Sequence, residues 1–176
     1  MKKIIIKTYE NKDHEASVSL IKDELNISLD DLGYNEKGKP YLKDGSMFFN
    51  ISHSRGIIGI TISDTEVGFD LERVKEISDD MRKMLYDKIY NEADILNNSD
   101  DITSLQKVFT IKEAYLKYLG IGLVMDIDNI IIDYDNSTIK YKDKVSGYFK
   151  SYEYLDFVFS IVSSEPLDFE IEYRGL

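Results

Sequence analysis

An α+β fold, antiparallel sheets packed with helices, is the architecture this sequence predicts. Three observations lead there. Isoleucine-rich residues 2–9 read as a strand followed by a helical pattern. Residues 47–72 hold closely spaced Ile-, Phe- and Val-rich runs broken by Ser/Arg/Gly and Ser/Asp/Thr/Glu turns. A long apolar stripe at helical spacing then precedes a strand-rich C-terminal part.

In residues 2–9, Lys3, Ile5 and Lys7 alternate against Ile4, Ile6 and Thr8, the period of a strand. Asp13 can cap a helix to about residue 26, with Val18, Ile21 and Leu25 on one face. Residues 30–43 read as mostly irregular, with Gly33, Gly38 and Pro40. Pro40 drives Lys39 into an extended conformation, so Lys39 is expected to project from a stiff loop. On this segment alone a solvated turn lysine is the more common case. Residues 47–53, 56–63 and 67–72 read as a three-stranded meander.

Ser78 can cap a helix to about residue 90, with Met81, Met84, Leu85 and Lys88 inward. A polar loop over 91–101 leads to a longer helix, 102–119, ended by Gly120 and Gly122. Residues 127–134, 138–142, 145–154, 157–163 and 169–173 read as strands. This order predicts one domain, 1–176, in two α+β halves of about 1–76 and 77–176.

The 176 residues suffice for one buried core. With 43% hydrophobic and 31% charged residues, the composition is that of a folded soluble chain. No cysteine is present, which excludes disulfides, thiolate zinc sites and cysteine nucleophiles; His14 and His53 are too few for a polyhistidine site. A net charge of −11 argues against nucleic-acid and anionic-membrane partners. The opening MKKIIIK is too short in apolar residues for a signal-peptide core, and no later run has transmembrane length. A cytoplasmic protein is the expectation.

In a meander the first and third strands run the same way. His53 is therefore expected near Asp70 and Glu72, on the order of 10 Å away across the middle strand. Asp70 and Glu72, two apart, point to one face; Val67, Phe69 and Leu71 point to the other. On the 102–119 helix, Leu105, Val108, Phe109, Tyr115, Leu116 and Leu119 form the apolar stripe. Lys112 falls near its centre, where an ammonium must snorkel out or find a fixed anion. Glu113 lies at the stripe's edge, four residues before Lys117, the spacing of an ordinary surface ion pair. Asp70 and Glu72, flanked by His53, Lys112 and Lys117, suggest a divalent-cation site for a pyrophosphate-bearing substrate. Oxygen ligands favour Mg²⁺ or Mn²⁺.

These residues carry a resemblance. Gly38-Lys39-Pro40, Phe49-Asn50-Ile51-Ser52-His53-Ser54, Gly68-Phe69-Asp70-Leu71-Glu72, Lys112-Glu113-Ala114 with Lys117, and Gly120-Ile121-Gly122-Leu123 occur in that order. Over residues 38–123 the chain resembles the 4′-phosphopantetheinyl transferase superfamily, surfactin-synthetase-activating type. The resemblance implies a pseudo-dimer of two similar α+β halves with coenzyme A bound between them. It implies transfer of the phosphopantetheine arm to a serine of an acyl or peptidyl carrier protein, releasing adenosine 3′,5′-bisphosphate. Asp70, Glu72 and Glu113 would hold Mg²⁺, with Mn²⁺ an alternative. Lys39, Ser52, His53, Lys112 and Lys117 would line the coenzyme A site. Glu113, Lys117 and an acidic residue such as Asp94 or Glu92 would serve catalysis, the general base being Asp94, Glu92, Glu113 or a metal-bound water. A single-chain pseudo-dimer implies a monomer.

The chain also departs from the family. Phe109 stands where the family has tryptophan, and Ala16 near an expected arginine in a basic N-terminal segment that is absent here. Two other readings are therefore carried along. One is a non-catalytic module binding a carrier protein or nucleotide; the other is a different Mg²⁺-dependent pyrophosphate enzyme.

Overall fold

The computed structural model describes residues 2–10, 13–74, 78–80, 82–83, 101–122, 127–142, 144–166 and 168–176. Strand β1 (Lys3–Thr8) is followed by helix α1 (Asp13–Leu25) and a 3₁₀ turn at Leu29–Asp31. Strands β2 (Leu32–Tyr34) and β3 (Pro40–Leu42) form a short hairpin. Next come β4 (Phe48–Ser54), β5 (Ile57–Ser63), β6 (Val67–Arg73) and helix α2 (Ile102–Leu119). A 3₁₀ turn, Ile127–Asn129, leads to β7 (Ile130–Asp133), β8 (Thr138–Tyr141), β9 (Lys144–Tyr154), β10 (Phe157–Ser163) and β11 (Glu170–Arg174).

Two larger sheets organise these elements, in the orders β11-β1-β5-β4 and β6-β10-β9-β8-β7. Pairing is antiparallel except between β1 and β11. The expected meander is corrected at its third strand. Both edges of β5 are taken, with Thr61 opposite Ile4 of β1 and Asn50 of β4. β6 therefore pairs with β10 in the second sheet instead. Because β11 returns to the first sheet, the sheets do not divide the chain at one point near residue 76. The segment 30–43 is more ordered than its composition suggests, since β2 and β3 pair Leu32 with Leu42 and Tyr34 with Pro40.

The apolar clusters make four layers. Leu20, Ile21 and Leu25 of α1 pack on Ile5, Phe49, Ile58 and Ile60. Ile4, Ile6 and Ile57 meet Phe69, Leu71, Phe157 and Phe159 between the sheets. Leu105, Val108, Ile111, Tyr115 and Leu116 of α2 cover Ile130, Ile139, Phe149 and Val162. The Ile4-Ile5-Ile6 run is thus buried on both faces, each residue at 0% exposure.

Helix α2 carries its own start and stop signals. Asp101 Oδ1 accepts from the N–H groups of Thr103 and Ser104 at 2.9 and 3.0 Å. Gly120 ends the helix at φ 67, its N–H reaching the Lys117 carbonyl at 3.2 Å. Of the helix expected from Ser78, the described part shows an opening turn, with Arg82 N–H on the Ser78 carbonyl at 2.9 Å. Residues 84–90 lie outside the described residues.

Candidate active site

β4 and β6 run side by side, joined through side chains. Asn50 Oδ1 accepts from Phe69 N–H at 3.1 Å, and Ser54 Oγ from Arg73 N–H at 3.2 Å. These two oxygens supply what a neighbouring strand's carbonyls would otherwise give. Ser52 Oγ donates to Asp70 Oδ1 at 2.8 Å, and Ser54 Oγ to Glu72 Oε2 at 2.7 Å. Strand alternation explains the pattern: Asn50, Ser52 and Ser54 share the face turned to β6. That period-two polar face was readable in FNISHS, but its partner strand was not.

The same alternation sets the direction of His53. Lying between Ser52 and Ser54, it projects from the opposite face of β4, the Phe49 face covered by α1. Its Nδ1 stands 3.6 Å from Asp13 Oδ2. The serines, rather than the histidine, hydrogen-bond the carboxylates.

α2 supplies the other side of the site. Lys117 Nζ donates to Asp70 Oδ1 at 2.7 Å and to Ser52 Oγ at 2.9 Å. Gly68 makes this approach possible. A Cβ there would lie 1.9 Å from the Ala114 carbonyl oxygen and 2.4 Å from Tyr118 N, so no side chain fits between strand and helix.

Three carboxylates share this corner with the Lys117 ammonium. Burial, then the neighbouring Asp70 charge and, less strongly, Glu72, raise the Glu113 carboxyl to about 7 against the opposing pull of Lys117. Glu72 is also raised, chiefly by burial, with Asp70 adding to it; the Ser54 hydrogen bond, Lys117 and Arg55 oppose. Asp70 is 4% exposed, and its Oδ2 has no hydrogen-bond partner among the described residues.

An orphaned buried carboxylate oxygen beside two carboxyls that resist ionisation fits a hard divalent cation held by oxygens. Among the described residues, no three His, Cys, Asp or Glu side chains close around a metal position as they stand. Lys117 is the local cation on Asp70.

A cavity of about 310 Å³ opens here, walled by Lys37, Gly38 and Lys39 on one side and by Glu113, Lys117 and Gly120 on the other. Lys39 borders it but does not project: its Nζ pairs with Glu66 and reaches the Val67 and Tyr118 carbonyls at 3.4 and 3.3 Å. Lys112 is 1% exposed and does not snorkel out; its Nζ stands 3.4 Å from the Ile127 carbonyl. It does not line this cavity. Asp94, Glu92 and Leu123 lie outside the described residues. Sequence reasoning missed Asn35, Asn50, Ser54 and Glu66, polar residues whose partners are distant in the chain.

Comparison with known proteins places the chain in a family. The family described as the 4′-phosphopantetheinyl transferase superfamily matches residues 66–162, which include β6 and α2. The 4′-phosphopantetheinyl transferase gsp of Aneurinibacillus migulanus is 34% identical over 112 residues, 61% of this chain and 46% of that protein. The L-aminoadipate-semialdehyde dehydrogenase-phosphopantetheinyl transferase of Candida glabrata is 28% identical over 138 residues, 68% of this chain and 54% of that protein. The 4′-phosphopantetheinyl transferase Sfp of Bacillus subtilis (strain 168) is 27% identical over 118 residues, 65% of this chain and 53% of that protein. The chain thus spans about half the length of the curated relatives it matches. With more than half of its residues matched, among them Gly68, Asp70, Glu72, Glu113 and Lys117, the chain belongs to the 4′-phosphopantetheinyl transferase superfamily.

Proposed function

We propose that this chain transfers the 4′-phosphopantetheine arm of coenzyme A to a serine hydroxyl of an acyl or peptidyl carrier protein. The serine oxygen forms a bond to the phosphorus bearing the arm. The pyrophosphate P–O bond breaks, and adenosine 3′,5′-bisphosphate leaves. The observation that carries the proposal is the Ser52–Asp70–Lys117 cluster, with Glu72 and Glu113 beside it.

Asp70, Glu72 and Glu113 are the residues that would hold Mg²⁺, which when bound neutralises charge building on the pyrophosphate and leaving group. Lys117 exchanges its bond to Asp70 for a phosphate oxygen, and Ser52 orients that oxygen. Lys39, leaving Glu66, and His53, leaving Asp13, are assigned to the remaining phosphates. Lys112 is assigned to the cofactor side only through its hold on the 3₁₀ turn at Ile127. Glu113 or Asp94 is assigned to take the serine proton as general base. The chain is read as a single domain, 1–176, a pseudo-dimer of two similar α+β halves acting as a cytoplasmic monomer. No helix among the described residues is long and apolar enough to cross a membrane.

Incubation with apo carrier protein, coenzyme A and Mg²⁺, followed by mass measurement, tests the proposal. The expected result is a gain of one phosphopantetheine arm; no gain across several carriers overturns it. Ala16, in place of the arginine expected of the family's basic N-terminal segment, favours a second reading, a non-catalytic module. It predicts binding of coenzyme A or carrier without transfer.

A further inference from the structure

The turn that carries Lys37 and Lys39 is built around one side chain, Asn35. Its Oδ1 accepts from the backbone N–H groups of Lys37 and Lys39, both at 2.9 Å. The Asn35 N–H donates to the Lys39 carbonyl at 3.0 Å, and Gly38 N–H donates to the Asn35 carbonyl at 3.0 Å. Together these bonds fix the turn internally. The remaining group, Nδ2, crosses to α2 and donates to the Gly120 carbonyl at 2.8 Å. Gly120 is matched to this contact. Besides its φ of 67, a Cβ there would stand 2.9 Å from Asn35 Nδ2. One amide therefore needs an asparagine-like donor at 35 and an open position at 120.

The consequence lies in the cavity between them. Lys37, Gly38 and Lys39 form one wall, and Glu113, Lys117 and Gly120 the other. Asn35 does not line that cavity, yet it is bonded to both walls. The helix end it reaches presents carbonyls with no partner inside the helix, so a fixed donor there also holds the end of α2 in place.

We propose that Asn35 is a positioning residue that sets the separation of the two walls of the coenzyme A cavity, an inference that rests on the function proposed above. It touches no substrate. It acts through the backbone of the Lys37–Lys39 turn and through the C-terminal end of the helix that carries Glu113 and Lys117. Without the Gly120 bond the Lys37–Lys39 turn drifts from α2, whose buried face keeps Glu113 and Lys117 in place, so the grip on coenzyme A weakens more than the chemistry does.

The test compares wild type with Asn35→Asp and Asn35→Ala by calorimetric titration of coenzyme A in Mg²⁺ and by transfer kinetics. Asn35→Asp keeps the acceptor that holds the turn and loses only the donor to Gly120, so it covers the case in which Asn35→Ala fails to fold. The expected result is a rise of about 10-fold in both Kd and KM for coenzyme A, with kcat changed less than about threefold. The Asn35→Asp loss should persist at about 0.5 M salt, where an effect of the added charge would be screened. Affinity within twofold of wild type in either folded variant, or a loss that vanishes at high salt, overturns the inference. A wild type that binds no coenzyme A overturns the proposed function instead, and the assigned role of Asn35 with it.

Discussion

Gly68 shows how much one position decides. In sequence it is a small residue opening a Gly-x-Asp-x-Glu strand; in the fold it is the gap through which α2 reaches β6. Gly68→Ala should push Ala114 and Tyr118 away from the strand and destabilise the protein by about 1–3 kcal/mol, measured by urea unfolding. Unchanged stability would show that the helix can retreat freely. Asp70→Asn should lower transfer by about 100-fold or more, because the remaining neutral amide neither holds a divalent cation nor fixes Lys117. Full activity in that variant would remove Asp70 from the site. Glu113 carries a pH signature. Its carboxyl, raised from 4.5 to about 7, binds a proton more tightly folded than unfolded. Stability from that proton is fully present below about 4.5 and lost as pH rises to about 7. Without added metal, wild type should therefore lose more stability than Glu113→Gln across that window, and added Mg²⁺ should narrow the difference. Parallel pH–stability curves would contradict the buried, charge-crowded placement of Glu113.

Among the elements, α2 is the one whose sequence and structure agree most fully. Its bounds, its Gly120 stop and its apolar stripe all follow from spacing and residue type. Asp101→Ala should cost about 1 kcal/mol by removing the cap on Thr103 and Ser104. Transfer by the folded fraction should be unaffected, since the cap lies at the opposite end of α2 from Lys117. A loss of turnover exceeding the loss of folded protein would show that the start of α2 feeds the site. β6 teaches the opposite. Its strand character was plain from Val67, Phe69 and Leu71, but its sheet was not, because local spacing carries no information about which free edge a strand will join. β5 spends both edges on β1 and β4, and that global constraint sends β6 to β10.

For the whole molecule, the returning strand β11 closes the first sheet by parallel pairing with β1. It delivers Arg174 to Glu24, a carboxylate 9% exposed that also pairs with Lys3 at 3.3 Å. Arg174→Ala leaves Lys3 as partner, so the expected cost is about 1–2 kcal/mol, below that of a buried acid left unpaired. Thermal unfolding of that variant checks it, and no shift would place β11 outside the cooperative core.

By itself the sequence determined the α+β class, most strand and helix positions, the acidic pair Asp70 and Glu72, and the place of Lys112 in the apolar stripe. Each follows from period, residue type or a cap, which are local properties. Only the tertiary structure decided that Ser52 and Ser54 rather than His53 face the carboxylates, and that Lys39 turns inward to Glu66. It also decided that Lys117 closes on Asp70 and that Asn35 joins the two walls of the cavity. Those contacts join residues far apart in the chain, and they depend on which sheet edges remain open once the core has formed.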